Sequence, residues 1–370
     1  MAATYSAAEG ALRSLAYQHI LTVEQFTPET LEALFALAQQ MDRRVADGRV
    51  EPLMSSKIVA NVFYEASTRT DLSFQAATQR LGGRVISTAG GVHYSSVTKG
   101  ESLHDTIKTI ACYSDAIVLR HPQRGAAKEA AAASDALRLA MHSPAPIINA
   151  GDGIGEHPTQ ALLDLYTIKD RFGSDIDGLT IGFVGDLRNG RTVHSLIKLL
   201  AIDRCHVNVV CIAPDSLSMP PEYIEFARSR EMPVTETQDL QEAIQHVDVL
   251  YVTRVQRERF VAQQMEDLSA KIYGLPQEAL DAARRDTLRP LADLNAAQEY
   301  LAARDTYVVD PMMLSQARKE MIVMHPLPRV NEIPEQVDSD DRAYYFRQVQ
   351  NGLYIRMALL ASVLDCMPER

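Results

Sequence analysis

Short β-branched and apolar runs alternate along the chain with stretches whose apolar residues recur every three to four positions. Lys57-Ile58-Val59-Ala60-Asn61-Val62-Phe63 reads as a buried strand. After it Leu72, Phe74, Ala77 and Leu81 follow roughly helical spacing, and Gly82-Gly83 is a stop signal. The alternation continues with a strand at 84–86, a helix around 103–113, a strand at 116–119, an alanine-rich helix from Ala126 and a strand at 145–148. Two helical patterns precede it between residues 16 and 50, the second over 30–41, and a long helix over 158–172 bridges to a second unit. That unit repeats the pattern with strands at 179–184, 207–212, 247–252, 306–309 and 321–324, then an apolar helix over 352–364. Alternating strands and helices predict α/β architecture, two doubly wound parallel-sheet domains. Ligands in such sheets bind at the carboxyl ends of the strands, so the chemistry belongs in the turns that follow them.

Composition narrows the ligand. The 370 residues suffice for two ordinary domains, 46% are hydrophobic, and no apolar run reaches the length of a membrane span. A formal net charge of −11 argues against a nucleic-acid-binding surface. An anionic small molecule would therefore need positive charge concentrated in one place. Residues 1–15 are alanine-rich, lack the features of a secretory or transit leader and read as a frayed segment. Cys112, Cys205, Cys211 and Cys366 show no CxxC spacing, which fits buried free thiols in a reducing compartment better than disulfides or zinc.

The turns carry that concentration. Ser67-Thr68-Arg69-Thr70 lies between the first strand and its helix, where free N–H groups, the helix dipole, hydroxyls and an arginine suit a phosphate. An ordinary capping box, with Ser67 or Thr68 as the cap, reads the same residues without a ligand. Arg120-His121-Pro122 follows the strand ending at Leu119, and Gly185-Asp186-Leu187-Arg188-Asn189-Gly190-Arg191-Thr192 follows Val184. Thr253-Arg254-Val255-Gln256 follows Val252, and His325-Pro326-Leu327-Pro328-Arg329 follows Met324. Solvation alone would leave Arg69, Arg120, Arg191 and Arg254 exposed and unpaired. A shared anionic ligand would bring them together. His157 and Gln160 share a face at the start of a helix, where a neutral imidazole that donates to a carbonyl oxygen is favoured. Gly182, Gly185 and Gly190 lack dinucleotide-fingerprint spacing and no Walker A lysine motif occurs, so nucleotide binding is poorly supported.

Together with His157-Pro158-Thr159-Gln160 and Val193-His194-Ser195, these motifs resemble the aspartate carbamoyltransferase family from about residue 19 to 364. Val330-Asn331-Glu332-Ile333, Tyr345-Phe346-Arg347-Gln348 and Ile355-Arg356-Met357-Ala358-Leu359-Leu360 are similar to the animal and fungal forms, where this domain usually sits in a larger fused polypeptide. The resemblance implies a carbamoyl-phosphate domain over 1–155 and an aspartate domain over 156–344, with helix 345–370 returning to the first. Ser67, Thr68, Arg69 and Thr70 would hold phosphate. Thr70, Arg120 and His157 would polarise the carbamoyl carbonyl. Gln160 and the backbone of Leu327 and Pro328 would fix the carbamoyl nitrogen and the attacking amine. Arg191, Arg254 and Gln256 would grip the aspartate carboxylates, and Glu65, Arg191 and Arg259 would hold the closed state. Ser95 and Lys99 would reach a neighbouring active site, Lys99 also acting on aspartate and in catalysis, which implies a homotrimer. The resemblance further implies carbamoyl transfer to L-aspartate in pyrimidine biosynthesis with no metal or cofactor, a cytoplasmic enzyme of an allosteric family, and no nucleic acid or membrane partner.

Two departures stand out. Asp71 occupies a position where a carboxylate would repel phosphate unless it points away. About 262–305 there is an insertion with two amphipathic patterns, either an inert surface hairpin or a docking element for a pathway or regulatory partner. An ornithine carbamoyltransferase would carry a cysteine where Pro326 stands and a Ser-Met-Gly loop, and neither is present. A non-catalytic paralogue is the alternative of a different class, motivated by Asp71 and the insertion.

Overall fold

The computed structural model describes residues 2–48, 52–88, 100–141, 145–153, 155–203, 205–254 and 306–368. Two wholly parallel sheets form. The first has strands β1 (Ile58–Phe63), β2 (Arg84–Ser87), β3 (Ala116–His121) and β4 (Ile147–Asp152) in the order β2-β1-β3-β4. The second has β5 (Thr180–Val184), β6 (Asn208–Ile212), β7 (Val234–Thr237), β8 (Val249–Val252) and β9 (Ile322–Met324) in the order β7-β6-β5-β8-β9. The central strands are apolar on both faces because helices cover both. In β1 every residue after Ile58 is buried, and β8 is buried throughout.

Among the described residues the α-helices are α1 (Ala2–Arg13), α2 (Pro28–Ala46), α3 (Thr68–Arg80), α4 (Leu103–Ala111), α5 (Ala126–Met141), α6 (Pro158–Phe172), α7 (Arg191–Ile202), α8 (Pro221–Arg228), α9 (Leu240–Ala243), α10 (Pro311–Leu314) and α11 (Tyr345–Val363). Helix α6 joins the two sheets and is buried from Pro158 to Ile168. Helix α11 packs against α2, α3 and α6, so the end of the chain returns to the first unit.

Several expectations change. Residues 306–309 form no strand: Tyr307 and Val309 are buried, but the Val309 N–H donates to the Glu332 carbonyl in a loop, and Pro311 follows. The strand β7 takes the sheet edge instead, and its mixed Val-Thr-Glu-Thr sequence gives little hydrophobic signal. On α3 the buried stripe is Phe74, Ala77, Thr78 and Leu81, and Leu72 lies two positions before Phe74, about 200° round the helix, and is 56% exposed. Helix α1 packs on α2 with Leu12 buried, where a frayed segment was expected. The last helix starts at Tyr345, as the 345–370 bounds have it, so its apolar stretch from 352 is only its second part, and it ends at Val363. Cys211 is buried, but Cys112 is exposed. The 262–305 insertion lies outside the described residues.

Candidate active site

Each sheet has a point where successive connections leave in opposite directions, between β1 and β3 in the first and between β5 and β8 in the second. Such switch points open a crevice at the carboxyl ends of the strands. Here the two crevices face each other across one cleft of about 530 Å³. Its walls carry Glu65 to Thr70 after β1, Arg120 at the end of β3, Asn189 to Thr192 after β5 and Thr253-Arg254 after β8.

The turn after β1 is not a side-chain cap. Ser67 occupies the N-cap position, but its hydroxyl donates to Thr70 Oγ1 at 3.1 Å and accepts no N–H from α3. The first-turn amides are thus left without a hydroxyl cap, as anion binding at a helix start requires. Asp71 points away from the cleft: its carboxylate accepts from Asn61 Nδ2 at 2.8 Å and Gln75 Nε2 at 2.9 Å.

The arginines converge. Arg120 is 9% exposed, and Arg120 and Arg191 both approach Glu65 Oε2, at 3.3 and 3.5 Å. Burial and then the nearby Arg191 lower the Arg120 pKa to about 10, and Glu65 counters only in part. Arg191 also donates to the Gly153 carbonyl at 2.6 Å, which ties the second unit to the turn after β4. Gly151, at φ +116°, leaves room for both guanidinium groups: a Cβ there would lie 3.2 Å from Arg120 Nη1 and from Arg191 Cζ. Across the cleft Arg69 donates to the Leu327 carbonyl at 2.6 Å, and withdrawal from solvent and then the charge of Arg254 lower its pKa. Arg69 is exposed as solvation alone would predict, but it is engaged rather than free.

His157 is buried at the start of α6, where its N–H donates to Ser195 Oγ at 3.1 Å and its Nδ1 lies 3.4 Å from Thr159 Oγ1. Burial, then Arg191, Arg120 and Arg356, push its pKa well below the usual histidine value. The imidazole is neutral, as its place at a helix start suggested. One turn on, Gln160 Nε2 donates to Asp164 Oδ1 at 2.9 Å. The same oxygen accepts Gln348 Nε2 at 2.6 Å, and Asp164 Oδ2 accepts Tyr251 OH at 2.7 Å. Gln348 Oε1 in turn accepts the His325 N–H at 2.9 Å. In the turn after β9, His325 Nδ1 accepts the Leu327 N–H at 2.7 Å, so its proton sits on Nε2, 2.9 Å from Glu332 Oε1. The Leu327-Pro328 bond is cis.

The structure thus gathers Ser67, Thr68, Arg69, Thr70, Arg120, His157, Gln160, Arg191, Arg254, Leu327 and Pro328 round one cleft. Ser95, Lys99, Gln256 and Arg259 lie outside the described residues. Gln348 and Arg356 line the cleft and Asp164 holds Gln160 and Gln348 from behind it, none of them anticipated as site residues except Gln160. Their signal was polarity out of place: Asp164 interrupts a run of buried apolar positions in α6, and Arg356 one in α11. Among the described residues no cluster of His, Cys, Asp and Glu could hold a metal ion, and no helix is long and apolar enough to cross a membrane.

Residues 18–170 match the family description aspartate/ornithine carbamoyltransferase, carbamoyl-P binding domain, and residues 177–363 match its Asp/Orn binding domain. The chain is 45% identical over 347 residues to the multifunctional protein CAD of Squalus acanthias, covering 94% of this chain but only 13% of that protein. It is 41% identical over 353 residues to the chloroplastic aspartate carbamoyltransferase of Arabidopsis thaliana, covering 95% and 79% of the two chains. A crystal structure of aspartate transcarbamoylase from Trypanosoma cruzi in complex with carbamoyl phosphate and aspartate superposes with a TM-score of 0.80 at 40% identity, covering 95% of this chain and 98% of the other.

Proposed function

The chain belongs to the aspartate/ornithine carbamoyltransferase family, and on that premise we propose that it transfers the carbamoyl group of carbamoyl phosphate to L-aspartate, an early step of pyrimidine synthesis. One observation carries the choice of acceptor. Five arginines and a single carboxylate, Glu65, line the described cleft. A phosphate and a dicarboxylic amino acid suit that field, whereas the side-chain ammonium of ornithine would be repelled by it.

The capless turn Ser67–Thr70 with Arg69 receives the phosphate. Thr70, Arg120 and neutral His157 donate to the carbamoyl oxygen, where negative charge grows as the amine attacks. Loss of one such donor removes about 3–4 kcal/mol of transition-state stabilisation. Gln160, with its nitrogen held by Asp164, turns its oxygen to the carbamoyl nitrogen. The Leu327 and Pro328 backbone positions the amine, Arg191, Arg254 and Gln256 take the aspartate carboxylates, and phosphate leaves with the amine proton. Ser95 and Lys99 are supplied to the site of a neighbouring subunit in a homotrimer. The domains divide near 155, and the 262–305 insertion is a surface hairpin or a docking element for a pathway or regulatory partner. Orientation and exclusion of water come from closure of the two sheets on the ligands. A cytoplasmic setting and allosteric control complete the reading.

The test is phosphate release from carbamoyl phosphate with L-aspartate, with L-ornithine and with no acceptor. Turnover with aspartate alone is the expected result. Turnover with ornithine would overturn the acceptor, and none with either would overturn the reaction.

A further inference from the structure

Arg356 lies between Ile355 and Met357 in the apolar middle of α11 and is 4% exposed. Its Nη1 donates to Ser73 Oγ at 3.0 Å, its guanidinium lies 5.2 Å from the Phe74 ring centroid, and its buried Nε has no hydrogen-bond partner. It forms no ion pair among the described residues: Asp164 attracts it from a distance, while burial drives its pKa down to about 10. A buried cation without an anionic partner costs stability, and a hydrophobic residue of the same size would fill the space without that cost.

The guanidinium nevertheless borders the cleft together with Ser73. Ser73 sits three residues after Thr70, on the same face of α3. Through Ser73 the charge therefore stands against α3 one helical turn on from the capless residues. It also reaches His157, whose protonation it opposes alongside Arg120 and Arg191. Out of solvent, its field is screened far less than that of a surface arginine.

We propose that Arg356 is a further anion-binding residue of the cleft, a fixed positive charge from the C-terminal helix that strengthens the hold on a phosphate group at the Ser67–Thr70 turn. The inference rests on the reading of that turn as the phosphate site of carbamoyl phosphate. A purely structural role, in which Arg356 only ties α11 to α3 through Ser73, makes the opposite forecast.

The experiment compares wild type with Arg356→Gln, which keeps a donor for Ser73 but no charge, and Arg356→Lys, which keeps the charge. Inorganic phosphate affinity is read by calorimetry, KM for carbamoyl phosphate and for aspartate by steady-state kinetics, and stability by thermal melting. Arg356→Gln should weaken phosphate binding and raise KM for carbamoyl phosphate by about tenfold, the lower end for a charged hydrogen bond. Its melting temperature should hold or rise, aspartate KM at saturating carbamoyl phosphate should move less than about twofold, and lysine should recover most of the phosphate affinity. Unchanged phosphate affinity in a folded Arg356→Gln, or a fall in stability alone, overturns the role of Arg356. If glutamine does not fold, Arg356→Met is measured, and misfolding of both assigns the residue to structure and overturns the proposal. Wild type that neither binds phosphate nor releases it overturns the reading of the site beneath it.

Discussion

Gln160 and Asp164 stand one turn apart on α6, and the amide nitrogen of Gln160 donates to the carboxylate of Asp164 at 2.9 Å. This fixes which end of the amide faces the cleft. An amide whose nitrogen is held from behind presents its oxygen in front, as an acceptor for a substrate N–H. The same carboxylate orients Gln348, and through it the His325 backbone, so one buried acid sets the polarity of two sides of the site. Asp164→Ala should lower kcat/KM by about 10- to 100-fold, the scale of a misplaced reacting group, with the loss visible in steady-state kinetics. Asp164→Asn should retain most activity, because its oxygen can accept both glutamines while its NH2 faces Tyr251.

Asp164 also makes a pH-dependent stability forecast. Burial raises its pKa to about 7, with the donated hydrogen bonds opposing. Between the ordinary carboxylate value of about 4 and 7, the folded protein keeps a proton that the unfolded chain has lost, so this group's contribution to stability falls as pH rises through that window. Asp164→Asn should therefore melt higher than wild type at pH 8 and level with it near pH 4. Thermal melts at the two pH values check it.

The sign is opposite for His157. Its folded pKa lies well below the unfolded value, so as pH falls through about 6.5 only the unfolded chain gains the proton and stability is lost. Because the imidazole stays neutral, kcat should show no acid limb near 6.5. His157→Ala should lower kcat by about 10²- to 10³-fold, as loss of an oxyanion donor does. A kcat profile from pH 5.5 to 8.5 decides the first, and single-turnover rates the second.

Glu65 stands between Arg120 and Arg191, which belong to opposite walls of the cleft. Its exposure would make an isolated pair worth under about 1 kcal/mol, but it separates two guanidinium groups that otherwise repel. Glu65→Ala should raise aspartate KM by about tenfold through disorder of Arg191, with little change in melting temperature. KM for both substrates, measured separately, checks the asymmetry.

Gly151 gives a steric counterpart. A side chain at φ +116° is strained by about 1–2 kcal/mol. It would also press on Arg120 and Arg191. Gly151→Ala should lower both melting temperature and kcat/KM, while Gly48→Ala, at φ +67° in open space, should lower only the first.

Hydrophobic alternation alone determined the first parallel sheet, the central strands of the second and the long helix α6, because burial on two faces writes continuous apolar runs into β1, β3, β5 and β8. Position after a strand was enough to single out Ser67–Thr70, Arg120, Arg191 and Arg254, and the helix start to single out a neutral His157. Pattern failed where burial is one-sided or polar. The edge strand β7 was invisible, Tyr307 and Val309 are buried in a loop, and Leu72 turns to solvent. What only tertiary structure decided is which charges share a cleft and what stands behind them: Glu65 between two arginines, Asp164 holding two glutamines, Arg356 bonded to Ser73 on α3. These partners lie up to 283 residues apart, in the case of Ser73 and Arg356. No local periodicity encodes such a pairing, because it exists only once α11 has packed against α3.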